Sequence, residues 1–495
     1  MSFNEILRRI SLQLVNHHDN NAFFIKGEYS KYDDLAQQIS NIRNAVKGLP
    51  DSNLALVGND DVETYASIIA LWLEGKCYVP LHPLQPIERC RDIIRQVGIN
   101  FVLDSSEQSE YCEYHVIHTK HLENADMHIG ADREFDDGRL AYILFTSGST
   151  GRPKGVKISR GNLAAFIEAF ERFGYPLGTE DRCLQMFDLT FDLSVMSYLL
   201  PMLYGACIYT VSPERIKYQA AFELMDEEHI TFAMMVPSVL HYLRPYMDEI
   251  DVPSMRYSMF AGEALPLDDV AAWSKCVPHA VISNTYGPTE CTIICTGVEY
   301  NRQGDNLSTN GTMSIGKAMY GTEILVIDDN NRMLPDGEIG ELCLASPQLS
   351  TGYWHDAAKD KEAFFAYNGK RYYKTGDVCM VDDSGEILYY GRKDSQIKIQ
   401  GFRIELSEIE CIARQFYGGK RAAVAIPVSD SGNNYSIHLV IEDDGTEDTE
   451  AIIVYMKKYL PSYMIPSRVH FMKQFPLNTN NKIDRKHIKT IIYNQ

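Results

Sequence analysis

The sequence predicts an α/β protein: a large N-terminal domain of layered sheets and helices over residues 1–392, followed by a small C-terminal α+β domain over 393–495. Three observations carry this. Strand-like and helix-like segments alternate through the first third, the pattern of parallel sheets with helices on their faces. The chain has 495 residues, 45% hydrophobic and 23% charged, so it can bury a large core without metal or disulfide staples. Near residues 391–394 the pattern changes, and a shorter mixed set begins.

The elements follow in order. Residues 53–58 form an apolar run ending in glycine and read as a strand. Over 60–74, Val62, Ala66, Ile69 and Leu73 recur at helical spacing. Cys77–Leu81 reads as a strand, Ile87–Val97 as a helix and 100–103 as a strand. Further strands are predicted over 140–145, 230–236 and 280–283, and a hairpin over 378–390 turning at Asp382-Asp383-Ser384-Gly385. Beyond the boundary, 422–428, 436–441 and 469–472 read as strands and 450–460 as a helix. No internal repeat and no low-complexity linker interrupts the series.

Composition excludes several classes. The net charge of −20 disfavours a general binder of nucleic acid or anionic membrane. The N-terminus, MSFNEILRRISLQL, lacks a charged leader followed by an apolar stretch and a small-residue cleavage site. The most apolar runs, 66–73 and 195–203, are too short to span a bilayer. The 11 cysteines are odd in number, include no CxxC and bring only Cys291 and Cys295 close together, which predicts reduced thiols in a cytoplasmic protein. Zinc needs more ligands at tighter spacing. No membrane insertion and no nucleic-acid partner are expected.

The strongest local signal is LFTSGSTGRPKG at 144–155. An apolar strand runs into a loop of Thr146, Ser147, Gly148, Ser149, Thr150 and Gly151, closed by Lys154. Small residues let backbone N–H groups approach an anion, and the hydroxyls and Lys154 add donors and charge. The loop does not match GxxxxGK[ST], so it is not a Walker A loop.

TSGSTGRPKG resembles the signature of the adenylate-forming superfamily, which includes acyl-CoA synthetases, luciferases and the adenylation domains of nonribosomal peptide synthetases. Further motifs of that family follow in order: FDLS at 191–194, NTYGPTE at 284–290, GEL at 340–342 with Gly352-Tyr353, and YKTGD at 373–377. GRKDSQIK at 391–398, GFRIE at 401–405 and NKIDR at 481–485 complete the set, so the resemblance covers nearly the whole chain.

The resemblance implies a fold, a reaction and roles for residues. The fold is a large N-terminal core with a small mobile C-terminal lid. The reaction joins a carboxylate to the α-phosphate of ATP with Mg²⁺ as cofactor, giving an acyl-adenylate and pyrophosphate. Two anions must meet, so cations are required. The resemblance places Thr146 through Lys154 on the phosphates, with Thr146, Lys154 and Lys482 catalytic. Glu290 helps place Mg²⁺, with a surface turn carboxylate as the other reading. Asp377 accepts from the ribose hydroxyls, Arg392 also reaches the nucleotide, Asn284, Thr285 and Tyr286 lie by the adenine, and Gly287 and Thr289 also bind the nucleotide. Gly262 and Glu263 form the facing wall. Taken alone, Asp377 reads as a turn aspartate and Lys482 as a solvated lysine; Asn481 precedes it where the family usually has glycine. Asp394 takes the hinge position about which the lid rotates.

Asp192 bears on the acid. In the amino-acid-activating branch an aspartate here pairs with the substrate ammonium; taken alone, it reads as the cap of a helix over 193–203. By motif, the other pocket positions are Leu193, Met196, Met234, Met259, Ala261, Thr285, Ile293 and Ile294. Three methionines fill much of a small cavity, which favours a small amino acid, although such residues also pack cores. FDLSVM and NTYGPTE are closest to stand-alone D-alanine–carrier protein ligases, where a cysteine stands in place of Ala261; alanine there is common in peptide-synthetase adenylation domains. The chain carries no GxxSL-like attachment site, so the expected partner is a separate phosphopantetheinylated carrier protein. An acid–CoA ligase and a non-catalytic nucleotide-binding relative are the alternatives.

Overall fold

The computed structural model describes residues 1–148, 152–212, 214–393, 396–429, 435–443, 449–476 and 483–493. The chain folds into two compact units. The first comprises Met1–Pro83, Val97–Leu144 and Gly155–Lys393; the second comprises Leu84–Gln96, Phe145–Lys154 and Asp394–Gln495.

Two large sheets dominate the first unit. One runs in the order Lys317–Ala318, Thr296–Glu299, Val281–Tyr286, Tyr257–Phe260, Phe232–Met235, Arg182–Gln185, Cys207–Thr210, Asn21–Ile25, Glu28–Lys31. Its central strands pair in parallel, because helices make the crossovers between them. Leu193–Tyr204 links Arg182–Gln185 to Cys207–Thr210, and Leu267–Cys276 links Tyr257–Phe260 to Val281–Tyr286. The second large sheet runs His115–His118, Phe101–Asp104, Asn53–Val57, Cys77–Leu81, Leu140–Thr146, Lys154–Ser159. Cys77–Leu81 is buried along its whole length, as expected of a strand covered on both faces. The crossover helix Val62–Leu73 starts where Asp61 accepts from the Thr64 N–H at 3.0 Å.

An antiparallel sheet holds Glu323–Ile327, Gly340–Ala345 and Lys370–Val381, with Phe364–Tyr367 and Ile387–Arg392 both pairing to the last. The hairpin at its end turns where predicted. Asp382 Oδ1 accepts from the N–H groups of Ser384 and Glu386, at 3.0 and 2.8 Å, so the aspartate side chain supplies the turn.

The second unit has a hairpin, Gln396–Ile399 with Phe402–Glu405, then the helix Leu406–Phe416. Gln400 and Gly401 both take positive φ, at 50° and 81°, as a tight hairpin of right-handed twist requires. The sheet Ala423–Ser429, Tyr435–Glu442, Arg468–Met472 packs Leu439 and Ile441 with Ile409, Ile452 and Met456. The helix expected over 450–460 ends at Met456, beyond which the chain tightens into turns closed by Lys458 N–H to the Tyr455 carbonyl at 3.1 Å and Tyr459 N–H to the Met456 carbonyl at 3.0 Å. The strands predicted near 53, 77, 101, 140, 232, 281, 423, 435 and 468 are all present, most shifted by a residue or two.

Candidate active site

In the first unit, the strand Val281–Tyr286 carries the residues expected beside the adenine. It pairs in parallel with Tyr257–Phe260 and antiparallel with Thr296–Glu299. The side chains of Asn284, Thr285 and Tyr286 are therefore held at fixed alternating directions. Asn284 donates from Nδ2 to the Ser314 carbonyl at 2.8 Å, and its buried Oδ1 has no hydrogen-bond partner among the described residues. A buried acceptor left this way carries a free-energy cost that a donor on a ligand removes. Thr285 Oγ1 donates to the Phe260 carbonyl at 2.9 Å.

Tyr286 donates its hydroxyl to Asp377 Oδ2 at 2.5 Å, and Arg392 Nη1 donates to Asp377 Oδ1 at 2.8 Å. Asp377 and Arg392 face each other across the antiparallel pair Lys370–Val381 and Ile387–Arg392. Burial first, and then the Asp377 charge, push the Tyr286 phenol well above its usual pKa, so it stays a donor. Asp377 is thus a carboxylate held by a phenol and a guanidinium rather than a plain turn residue.

Glu290 lies on the short turn Thr289–Cys291 and is fully buried. Its Oε1 accepts from the Tyr353 hydroxyl at 2.7 Å. This rules out the surface-turn reading of Glu290. The chain after it is strained. Thr292 and Ile293 take φ of 49° and 75°, a region that β-branched residues rarely enter. Gln348 holds them there: its Nε2 donates to the carbonyls of Ile294 and Thr292 at 2.8 and 3.2 Å. Gly287 sits against the same turn, where a Cβ would meet the Ile293 carbonyl at 2.5 Å. Sequence reasoning did not single out Gln348. Tyr353 stands in a family motif, and no local pattern marks either residue as a partner of this turn.

Asp192 precedes the helix Leu193–Tyr204 and makes no capping hydrogen bond with its side chain, although the carboxylate is buried. The helix-cap reading is therefore not what the side chain does. Leu193 and Met196 are buried on that helix. Met234 pairs in register with Met259, and Met259 with Ser283. Register places these three on one face, with Ala261 and Thr285 two positions along their strands. Ile293 and Ile294 are buried on the strained turn. Glu263, after Gly262, accepts from the Ser238 N–H at 2.9 Å, which ties it to the start of the helix Pro237–Leu243.

In the second unit, the segment Phe145–Lys154 carries the glycine-rich loop. The Thr146 hydroxyl is buried without a hydrogen-bond partner among the described residues. Ser147 Oγ donates to the Arg403 carbonyl at 2.7 Å and accepts from the Glu405 N–H at 3.0 Å. The Gly148 N–H donates to Glu408 Oε2 at 3.1 Å, and Lys154 Nζ stands 3.8 Å from Glu405 Oε1. Ser149, Thr150, Gly151, Asp394 and Lys482 lie outside the described residues.

Residues 12–354 match the family described as AMP-binding enzyme. The chain belongs to the AMP-binding enzyme family. This family member is 32% identical over 478 residues to the D-alanine–D-alanyl carrier protein ligase of Bacillus velezensis, covering 93% of each. It is 31% identical over 483 residues to the dimodular nonribosomal peptide synthase of Bacillus subtilis, covering 93% of this chain but only 20% of that protein. Among solved structures, the Vibrio cholerae adenylation domain AlmE, in complex with glycyl-adenosine-5'-phosphate, matches at a TM-score of 0.88. It is 25% identical, with 99% of this chain and 98% of that one covered. The fold is that of adenylate-forming enzymes. No helix among the described residues is long and apolar enough to cross a membrane.

Proposed function

We propose that this AMP-binding family member activates a small amino acid with ATP as its aminoacyl-adenylate, then passes the aminoacyl group to the phosphopantetheine thiol of a carrier protein. The observation that carries the reading is Asp192: a buried carboxylate at a helix start that does not cap its helix. A substrate ammonium suits it, because a buried carboxylate at this position is the group that an amino-acid-activating relative pairs with the substrate, and an opposite charge favours its ionised form. The names of two matched proteins, a D-alanine ligase and a domain bound to a glycyl adenylate, agree with a small side chain. So do Met196, Met234 and Met259, all buried, whose long side chains would fill much of a small cavity.

In the first half-reaction a substrate carboxylate oxygen attacks the α-phosphorus, and the bond to pyrophosphate breaks. Asn284 accepts from the adenine amino group, and Asp377, fixed by Tyr286 and Arg392, accepts from the ribose hydroxyls. Thr146, Ser147, Gly148 and Lys154 bind the β- and γ-phosphates, with the Gly148 N–H a donor to anionic oxygen. Lys482 bridges the α-phosphate and the carboxylate, and Asp394 is the hinge of a C-terminal lid, residues 393–495, closing on a core of 1–392. In the second half-reaction the thiol sulfur attacks the adenylate carbonyl and AMP leaves.

Glu290 offers one buried carboxylate, and no group of three His, Cys, Asp or Glu among the described residues is placed to hold a metal. One carboxylate with substrate phosphates is a usual Mg²⁺ donor set, so the residues fit that ion. When bound, Mg²⁺ offsets charge on the phosphates.

ATP–pyrophosphate exchange screened over L- and D-amino acids tests the reading. Alanine, glycine or serine is expected to support exchange, and Asp192→Ala to lower kcat/KM on the order of a hundredfold, the loss of a buried charge pair. Exchange supported by bulky amino acids alone overturns the small-substrate assignment. Thioester formation on coenzyme A but not on holo-carrier overturns the acceptor.

A further inference from the structure

The second unit shows the glycine-rich loop engaged by side chains of its own chain. Glu408 lies in the first turn of the helix Leu406–Phe416 and is 1% exposed. Its Oε2 accepts from the Gly148 N–H at 3.1 Å, and its Oε1 accepts from Arg89 Nη1 at 2.5 Å. Arg89 is itself buried. Beside this pair, the Ser147 hydroxyl is bonded to the Arg403 carbonyl and the Glu405 N–H, and Lys154 lies near the Glu405 carboxylate. The loop itself requires glycine at 148, because a Cβ there would stand 2.0 Å from the Arg152 carbonyl oxygen. Three of the groups assigned to phosphate are thus met by the single segment 403–408.

We propose that Glu408 is an internal occupant of the phosphate loop: its carboxylate takes the Gly148 N–H that a phosphate oxygen takes when ATP is bound, and Arg89 holds it in place. This rests on the reading of 146–154 as the phosphate loop. A carboxylate and a phosphate oxygen are both anionic acceptors, and one N–H at hydrogen-bond distance does not serve both without bringing two like charges together. Docking of Glu408 and binding of pyrophosphate are therefore mutually exclusive. The consequence falls on the back reaction, in which a pyrophosphate oxygen attacks the adenylate phosphorus and the carboxylate leaves. Once Glu408 has docked, pyrophosphate has lost its seat, and the adenylate is preserved for the thiol. Glu408 and Arg89 act on the reaction through the loop and are positioning residues.

The test uses inorganic pyrophosphate and the full chain. Glu408→Gln keeps size and hydrogen-bonding capacity and removes the charge. Its Kd for pyrophosphate is expected to fall on the order of tenfold, the worth of one charge-assisted bond, and pyrophosphate is expected to inhibit thioester formation at correspondingly lower concentration. Arg89→Gln, which removes the clamp, is expected to shift both in the same direction. A merely structural ion pair would lower the melting temperature and leave pyrophosphate affinity alone; that result in folded variants overturns the proposal. Should neither variant fold, hydrogen exchange on the unaltered protein decides: saturating pyrophosphate is expected to speed exchange over 403–408, and no change there overturns the proposal. Lys154→Ala separates the two readings. If it weakens pyrophosphate binding while the Glu408 and Arg89 variants do not tighten it, the loop reading stands and the occupant fails. If it has no effect, both fall.

Discussion

Asp60 shows how burial sets the chemistry of one side chain. It follows the strand Asn53–Val57 with φ of 52°, and its Oδ2 accepts from the Thr210 hydroxyl at 3.1 Å. Burial raises its pKa from 3.8 to about 6, the hydroxyl contact only partly opposing it. The folded state thus holds this proton more tightly than the unfolded state. The contribution to stability is fully present below about pH 4, is lost as pH rises to about 6, and is level above that. Asp60→Asn removes the penalty, and asparagine tolerates the left-handed backbone. The variant is expected to be more stable than the parent by about 3 kcal/mol at pH 8, with no gain at pH 4, measured by urea unfolding at both. A difference independent of pH contradicts this account. Asp60 lies in a polar run, GNDDVE, that advertises a helix start and says nothing about depth.

Among the elements, the turn from Gly287 to Cys295 departs furthest from local preference. Thr292 and Ile293 are bent into a region worth about 1–3 kcal/mol of strain each, and Gln348 pins the bend through bonds to the carbonyls of Ile294 and Thr292. Glu290 and the buried Ile293 and Ile294, proposed for the substrate pocket, ride on that turn. Gln348→Ala leaves buried carbonyls unsatisfied and is expected to destabilise the protein by about 1–3 kcal/mol. It is also expected to raise KM for the amino acid more than for ATP, because Asn284 and Tyr286 stay anchored in the sheet. Equal rises in both would place the effect elsewhere. The regular elements were easier to read. Cys77–Leu81 and Ile87–Val97 stand where the pattern put them. The helices Phe3–Asn16, Tyr32–Val46 and Arg160–Phe173 were not anticipated, although Phe3, Ile6, Leu7, Ile10 and Leu14 carry the helical spacing that buries one face.

At the scale of the whole molecule, the proposed reaction asks for a cation brought to two anions. Lys482→Ala is expected to lower ATP–pyrophosphate exchange on the order of a thousandfold, from about 4 kcal/mol for one charge pair at 4 Å and an effective dielectric of 20. The melting temperature is expected to hold, and aminoacyl-adenylate supplied ready-made is expected to reach the carrier at a near-normal rate. Loss of both half-reactions together would make Lys482 a structural residue instead.

The sequence by itself determined the fold class and the family, and it singled out the candidate side chains. Those features are local: apolar periodicity along each element, and short motifs at strand–loop junctions. Only the tertiary structure decided which of those side chains meet. Tyr286 finds Asp377 across 91 positions, Tyr353 reaches Glu290 across 63, and Arg89 pairs with Glu408 across 319. Such pairings follow from strand order, register and packing, and leave no periodic trace in the chain that forms them.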